Sequence, residues 1–323
     1  MTIRDIARAS GVSPSAVSLV LNNKAAGRVS AAKQAEILAV ASANGFELNL
    51  SARSLRGKPR RLIGVAMPSP HNSYYGATVS LLHGHCVARA YSVLFAFWND
   101  YADTLGAFGA LLRQGVDGII AWQNYHPEAA RGTPMVMFGT DMPGYDCVQF
   151  DHDKLVRIAY EHLRQLGHRR IAFCGNADDS RRKILESLLL ADGLSVRPEY
   201  FLSGKDVESH SASLLERFFS QPERPTCIFC PNDSIAHMLV CSAQRRGLQV
   251  PRDISLLGFD NLPEASWMNP SLTTFDINME KVAETLIDTL FKRIGQPKQA
   301  FKSQKLMADL IIRESTAPAL ECQ

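Results

Sequence analysis

The chain has no apolar run of the roughly 18 residues that a membrane-spanning helix requires. It also has no phosphate-binding glycine loop, dinucleotide fingerprint, zinc-protease helix motif or strand–turn–helix context for a nucleophilic serine. Those absences leave the common nucleotide-dependent and hydrolytic enzyme classes without a sequence signal. Cysteine is scarce and irregular. The seven cysteines are odd in number and unevenly spaced, which argues against a disulfide framework and fits a reducing compartment. Cys227 and Cys230 form a C-x-x-C, but they lie in an apolar run that reads as a buried strand. An offset of three puts the two thiols on opposite faces, so a structural role is expected. His83, His85 and Cys86 cluster on one helical stretch where residues two apart cannot face a single ion. No metal and no cofactor are assigned.

Acidic residues are nearly missing from one end. The first 61 residues carry ten Lys and Arg against three Asp and Glu, whereas the remaining 262 carry 25 against 29. A basic head on a mildly acidic body is an electrostatic footprint for nucleic acid. Within that head, Thr2 can cap a first helix with Asp5 in its first turn. Gly11 breaks the chain and Ser13-Pro14 restarts it, because serine caps well and proline at the first helical position forfeits no hydrogen bond. Ala16, Val17, Val20 and Leu21 supply the buried side of the second helix. Ser30 caps a third helix with an apolar side of Ile37, Leu38 and Ala41, and Gly45 stops it. Two short helices across a glycine turn, backed by a third, make a helix-turn-helix that sets its second helix in the major groove.

Thr2-Ile3-Arg4-Asp5-Ile6-Ala7, Ala9-Ser10-Gly11-Val12-Ser13, Val17-Ser18-Leu19-Val20-Leu21-Asn22 and Ala52-Arg53-Ser54-Leu55 resemble the lactose/galactose repressor family of bacterial transcription regulators. Further matches are Gly167-His168-Arg169-Arg170-Ile171, Pro231-Asn232-Asp233, the run from Val250 to Asn261, and Leu272-Thr273-Thr274, so the resemblance spans nearly the whole chain. It implies that DNA is met by Thr2, Ser13, Pro14, Ser15, Ala16, Ser18, Leu19 and Asn22 in the head, and by Ser51, Arg53, Ser54, Leu55 and Arg56 in the linker. The family's equivalent of 49–56 folds into a hinge helix on operator DNA, where a leucine at the position of Leu55 wedges into the minor groove. Eight residues are too few for a stable isolated helix, so such ordering must be coupled to binding. Leu19 stands where the family usually has a hydrogen-bonding Arg or His. A leucine packs on a thymine methyl and cannot pair with guanine. Leu19→Arg is therefore expected to shift the facing base from thymine toward guanine in a selected DNA motif, and an unchanged motif would sink the assignment.

The expected fold class is α/β: a three-helix head, a hinge, and a two-lobed core similar to periplasmic binding proteins. Strands are expected at Leu62–Met67, Gly118–Trp122, Met135–Phe138, Arg170–Cys174, Thr226–Cys230 and Ile254–Phe259, with amphipathic helices between them. That alternation predicts parallel sheets with ligands beyond the strands' carboxyl ends. Expected boundaries are 1–48 for the head, 49–61 for the hinge and linker, and 62–323 for the core. Lobe 1 covers about 62–148 and 277–308, and lobe 2 about 150–275 and 309–323. The chain crosses between lobes near Gln149, near Phe275 and just before Leu310.

By the resemblance, Asn72, Tyr74, Tyr75, Arg182, Asn232 and Asp260 line an effector cleft, with Asp206 adding an acid to it. The pattern departs from sugar-binding relatives at Gly139-Thr140, Asp206 and Ile277, so the effector is expected to be a sugar or sugar-like molecule of unspecified kind. Operator symmetry implies a homodimer, and the tail from Ser315 is too short for a heptad leucine repeat. Because the chain opens on a helix-turn-helix, no cleavable signal is expected and the location is cytoplasmic. The alternatives are a solute-binding protein, or a sugar-modifying enzyme using Asp233 and Asp260 as an acid/base pair.

Overall fold

The computed structural model describes residues 2–22, 24–46, 59–99, 103–122, 132–175, 178–202, 221 and 223–320. It divides into two compact units, Met1–Arg61 and Leu62–Gln323.

The first unit holds α1 (Ile3–Ala9), α2 (Pro14–Leu21) and α3 (Ala31–Ala43). Thr2 and Asp5 form a reciprocal capping box: the Thr2 N–H donates to Asp5 Oδ2 at 2.8 Å and the Asp5 N–H to Thr2 Oγ1 at 3.3 Å. Ser13 and Ser30 cap the other two helices through the N–H groups of Ala16 and Lys33. Gly11, at φ +62°, makes the turn between α1 and α2 that an L side chain would strain. Ile6, Ala7, Val17, Val20, Ala25, Ile37 and Ala41 close the core. Leu38 differs from expectation: it is 49% exposed, because the helix turns its neighbour Ile37 fully inward instead.

The second unit contains two parallel sheets. The first has six strands in the order β11-β5-β4-β3-β1-β2. These are β1 (Leu62–Pro68), β2 (Ser92–Trp98), β3 (Gly118–Trp122), β4 (Met135–Phe138), β5 (Asp146–Phe150) and β11 (Ser303–Leu306). The second sheet is β7-β6-β8-β9, from β6 (Ile171–Cys174), β7 (Phe201–Leu202), β8 (Cys227–Phe229) and β9 (Ser255–Leu257). All six expected strands are found. Helices α4 (Ser73–Ala88), α5 (Thr104–Gln114) and α10 (Met279–Gly295) accompany the first sheet. Helices α6 (His152–Gln165), α7 (Ser180–Ala191), α8 (Asp233–Arg245) and the short α9 (Pro263–Trp267) accompany the second. The chain passes between the sheets where β5 gives way to α6, where β10 (Thr274–Asp276) gives way to α10, and from β11 to β12 (Asp309–Ile311). β10 and β12 pair antiparallel, binding two of these passages together. No described helix is long and apolar enough to cross a membrane.

Cys227 and Cys230 are fully buried and burial pushes both thiols well above their ordinary value, which makes them inert packing residues. Among the described residues no group of three or more His, Cys, Asp and Glu is arranged to hold a metal ion.

The tail is strapped across the second sheet by a polar seam. Ser315 Oγ accepts from the Thr273 N–H and donates to the Leu256 carbonyl, and His168 Nε2 lies 3.0 Å from the Ala317 carbonyl. Burial lowers His168 to about 4, so the ring is neutral in the fold. The unfolded chain binds that proton at about pH 6.5. The stability tied to a neutral His168 is thus fully present above pH 6.5 and lost as pH falls toward 4. Urea titrations are expected to show the wild-type advantage over His168→Gln shrinking across that window.

Candidate DNA interface and effector cleft

In the head, the exposed start of α2 carries Ser13, Pro14 and Ser15, with Ser13 Oγ and Ser15 Oγ 2.8 Å apart. Ser13 Oγ also caps the helix, so the group that would meet DNA is held by the local backbone. Ala16, Ser18 and Leu19 are half-buried, and Leu19 packs partly on the head's core, which gives its side chain a fixed direction. Asn22 donates through Nδ2 to the Ser18 carbonyl at 2.6 Å. Thr2 is exposed beside its capping partner, and Arg4, Arg8, Lys24 and Arg28 are exposed cations suited to phosphate. Ser51, Arg53, Ser54, Leu55 and Arg56 lie outside the described residues, as does Asp206.

In the core, the remaining cleft candidates stand at carboxyl ends of strands. Asn72 caps α4 and Asn232 caps α8: Asn72 Oδ1 accepts from the Tyr75 N–H at 3.2 Å, and Asn232 Oδ1 from the Ile235 N–H at 2.8 Å. Each asparagine therefore marks a helix N-terminus, where partial positive charge gathers. Tyr74 and Tyr75 meet edge-to-face at 5.0 Å. Tyr74, from the first sheet's α4, is close enough to Asp260, from the loop after β9, for the Asp260 charge to act on its hydroxyl. Burial first, and then the Asp260 charge, raises the Tyr74 hydroxyl well above its usual value. Burial and then the neighbouring Asp233 push the Asp260 carboxyl far above the carboxylate range.

Arg182 does not join them. Its Nε donates to Glu186 at 2.9 Å and its guanidinium lies 4.8 Å from the Phe201 ring centre. Arg181 is the guanidinium whose charge reaches Tyr74 and Asp260. The two are consecutive on α7, about 100° apart around the helix, and only one can face the cleft. Arg181 grips Asp179 through Nε and Nη2, donates through Nη1 to the Pro231 carbonyl, and lies 5.2 Å from the Phe259 ring centre. Burial opposes the Asp179 charge, yet Arg181 holds that carboxyl below its ordinary value. His152, whose Nδ1 is 2.7 Å from Ser180 Oγ, is lowered to about 4 by burial and by Arg181, and is neutral. The sequence signal for Arg181 was the Asp two residues before it, which caps α7 and forks onto the guanidinium.

Asp233 is not a mobile proton carrier. Its Oδ1 accepts from Thr274 Oγ1 at 2.5 Å and its Oδ2 from the Leu262 N–H at 2.9 Å. A Cβ at Gly258 would overlap Asp233 Oδ1, so that glycine leaves room for the carboxylate. With both oxygens engaged, Asp233 braces the 260–262 loop against β10. A line of aromatic contacts, Trp122–Phe138–Phe150–Phe259–Phe275, runs from the first sheet to the second beneath these groups. Beside the cleft a cavity of about 750 Å³ opens between His71, Asn72 and Ser73 on one side and Asp233, Leu262 and Met268 on the other.

Residues 2–49 match the family model described as bacterial regulatory proteins, lacI family, and residues 160–316 match a periplasmic binding protein-like domain. The transcriptional repressor PurR of Erwinia tasmaniensis is 27% identical, over 98% of this chain and 97% of its own. The PurR of Yersinia pestis bv. Antiqua is 26% identical at the same coverage. Among solved structures, the Lac repressor bound to ONPG in the repressed state superposes with a TM-score of 0.83 at 25% identity, covering 98% of this chain and 99% of that one. The Lac repressor dimer bound to operator and the anti-inducer ONPF gives a TM-score of 0.84 at 24% identity over the same shares, a likeness of fold. The head belongs to the lacI family of bacterial regulatory proteins and is joined to a periplasmic-binding-protein-like core, and the chain is a DNA-binding transcriptional regulator.

Proposed function

We propose that this regulator is a repressor that binds a two-fold operator as a homodimer, in the cytoplasm, under the control of a small molecule held between the lobes of its core. The carrying observation is the capped, exposed start of α2 in a basic three-helix unit, because that surface has the size and charge of a major-groove reader. One head reads one half-site, which is why a dimer is required. Pro14, Ser15 and Leu19 read bases, Thr2 and the nearby cations meet phosphate, and residues 49–56 with Leu55 act as the hinge. In the core, Asn72, Tyr74, Tyr75, Asn232 and Asp260 surround the effector, with Arg181 taking the place expected for Arg182 and Asp206 as a further contact. The effector acts only through a difference in affinity between two lobe arrangements.

Selection of bound DNA from a random pool by the full-length protein tests this. The expected result is a palindrome with fixed half-site spacing. Salt-sensitive binding without any motif, with and without added metabolites, would remove the operator reading.

A further inference from the structure

On the reading that the arrangement of the lobes governs operator binding, we infer that Arg313 is a positioning residue. It fastens the loop bearing Asp260 to the strands that pass between the lobes, so that whatever moves this loop from the cleft also moves those strands. The loop is costly to form. φ is +135° at Asp260 and +54° at Asn261, two consecutive non-glycine residues at positive φ. Such a backbone persists only where its surroundings fix it. Here the fixing contacts come largely from the passages. The Asp260 N–H donates to the Phe275 carbonyl at 3.0 Å and the Asn261 N–H to Thr274 Oγ1 at 3.4 Å, both on β10 in the second passage. A further bond reaches in from just beyond β12, the strand that ends the third passage: Arg313 Nη2 donates to Asn261 Oδ1 at 2.7 Å.

Arg313 joins several segments at once. Its Nη1 donates to the Leu272 carbonyl at 2.7 Å, just before β10, and its own N–H donates to Thr273 Oγ1 at 3.0 Å. β10 and β12 pair antiparallel, Thr274 against Ile311 and Asp276 against Asp309. The loop, the second passage and the third passage therefore form one hydrogen-bonded unit. The planar fork of a guanidinium is what lets one side chain meet acceptors on two separate segments. A second tie at the same junction serves as a comparison: the Ser271 N–H and Oγ donate to Glu314 Oε2 at 3.0 and 2.9 Å. It fastens the same end of the chain next to β10, but both of its partners lie outside the 260–262 loop. Loosening it disturbs the junction and leaves the link between loop and passages in place.

Operator affinity of the full-length protein, measured on the motif selected from random DNA, tests the link. The variants are Arg313→Gln, Asn261→Gly, the two combined, and Ser271→Ala, each measured where circular dichroism shows the core folded. Glycine removes the acceptor while tolerating the positive φ. Each of the first two is expected to change affinity in the same direction by about fivefold or more, the lower end of ordinary coupling between sites. The combined variant should show the effect of one alone, because both remove the same bond, and Ser271→Ala should stay within about twofold of wild type. Multiplied effects in the combined variant would show that the two residues act separately and overturn the inference. So would an Arg313→Gln affinity equal to wild type, or a Ser271→Ala change as large as that of Arg313→Gln. If no motif is selected at all, the operator reading falls and the inference with it, an outcome the selection shows before any variant is made.

Discussion

Replacing Arg293 by alanine is expected to destabilise the core by about 3–5 kcal/mol, the usual cost of stripping one partner from a buried ion pair. Arg293 and Asp146 have side chains 6% exposed and meet at 2.6 Å. The guanidinium also donates to the carbonyls of Pro297, Gln299 and Ala300 and lies 4.3 Å from the Phe301 ring centre. Asp146 in turn accepts from the Lys302 N–H. One side chain near the end of α10 therefore fixes the turn that delivers β11 to the edge of the first sheet. Alanine would leave the Asp146 carboxylate buried without its cation and take the shared donor from the carbonyls of Pro297, Gln299 and Ala300. Lysine keeps the charge but not the planar fork, and is expected to recover a minority of the loss. Pairing Arg293→Met with Asp146→Leu removes both charges and should recover more than lysine, though not everything, because the turn's carbonyls stay unpaired. Urea unfolding followed by the fluorescence of Trp98 and Trp122, which lie in that sheet, measures each variant. An Arg293→Ala midpoint close to wild type would show that the turn folds without its anchor.

Such an anchor was invisible in the sequence, where Asp146 and Arg293 stand 147 residues apart. What was legible follows from local chemistry. Thr2, Ser13 and Ser30 cap the helices they were expected to cap, and the six expected strands form, because short apolar runs between turn residues have few alternatives. β11 carries no sequence signal, since Ser303-Gln304-Lys305-Leu306 has no apolar pattern of its own; it becomes a strand by pairing with β5. β10 and β12 are three residues each and exist through one another. β2 is different: Val93 to Trp98 is an apolar run that carries a strand signal of its own. In the core, the family resemblance singles out Asn72, Tyr74, Asn232 and Asp260, and each stands beyond the carboxyl end of a strand. The choice between Arg181 and Arg182 depends on helix rotation, which two adjacent arginines do not reveal. The bracing role of Asp233 depends on Thr274 and Gly258, brought to it by the fold.

The same limit separates Ile37 from Leu38 and yields the other large effect. Both are apolar, both sit on α3, and both were expected on its buried side. Ile37 is 0% exposed within a core of seven buried residues, whereas Leu38 is 49% exposed. Truncating a buried isoleucine to alanine costs about 2–5 kcal/mol. A single small core of this size supplies no more than about 3–5 kcal/mol in total. Ile37→Ala should therefore unfold most of the head at 25 °C and abolish binding to the selected operator. The core has its own two sheets and its own hydrophobic cluster, so its unfolding midpoint should not move. Leu38→Ala removes a side chain already half in water and should change head stability by less than about 0.5 kcal/mol. Measuring operator affinity and the core's Tm on the two full-length variants separates these outcomes. Equal loss of DNA binding in both would mean that Leu38 contributes to the interface directly. A drop in the core's Tm with Ile37→Ala would mean that the head and core unfold as one cooperative unit, and the head's stability would then have to be counted together with the core's.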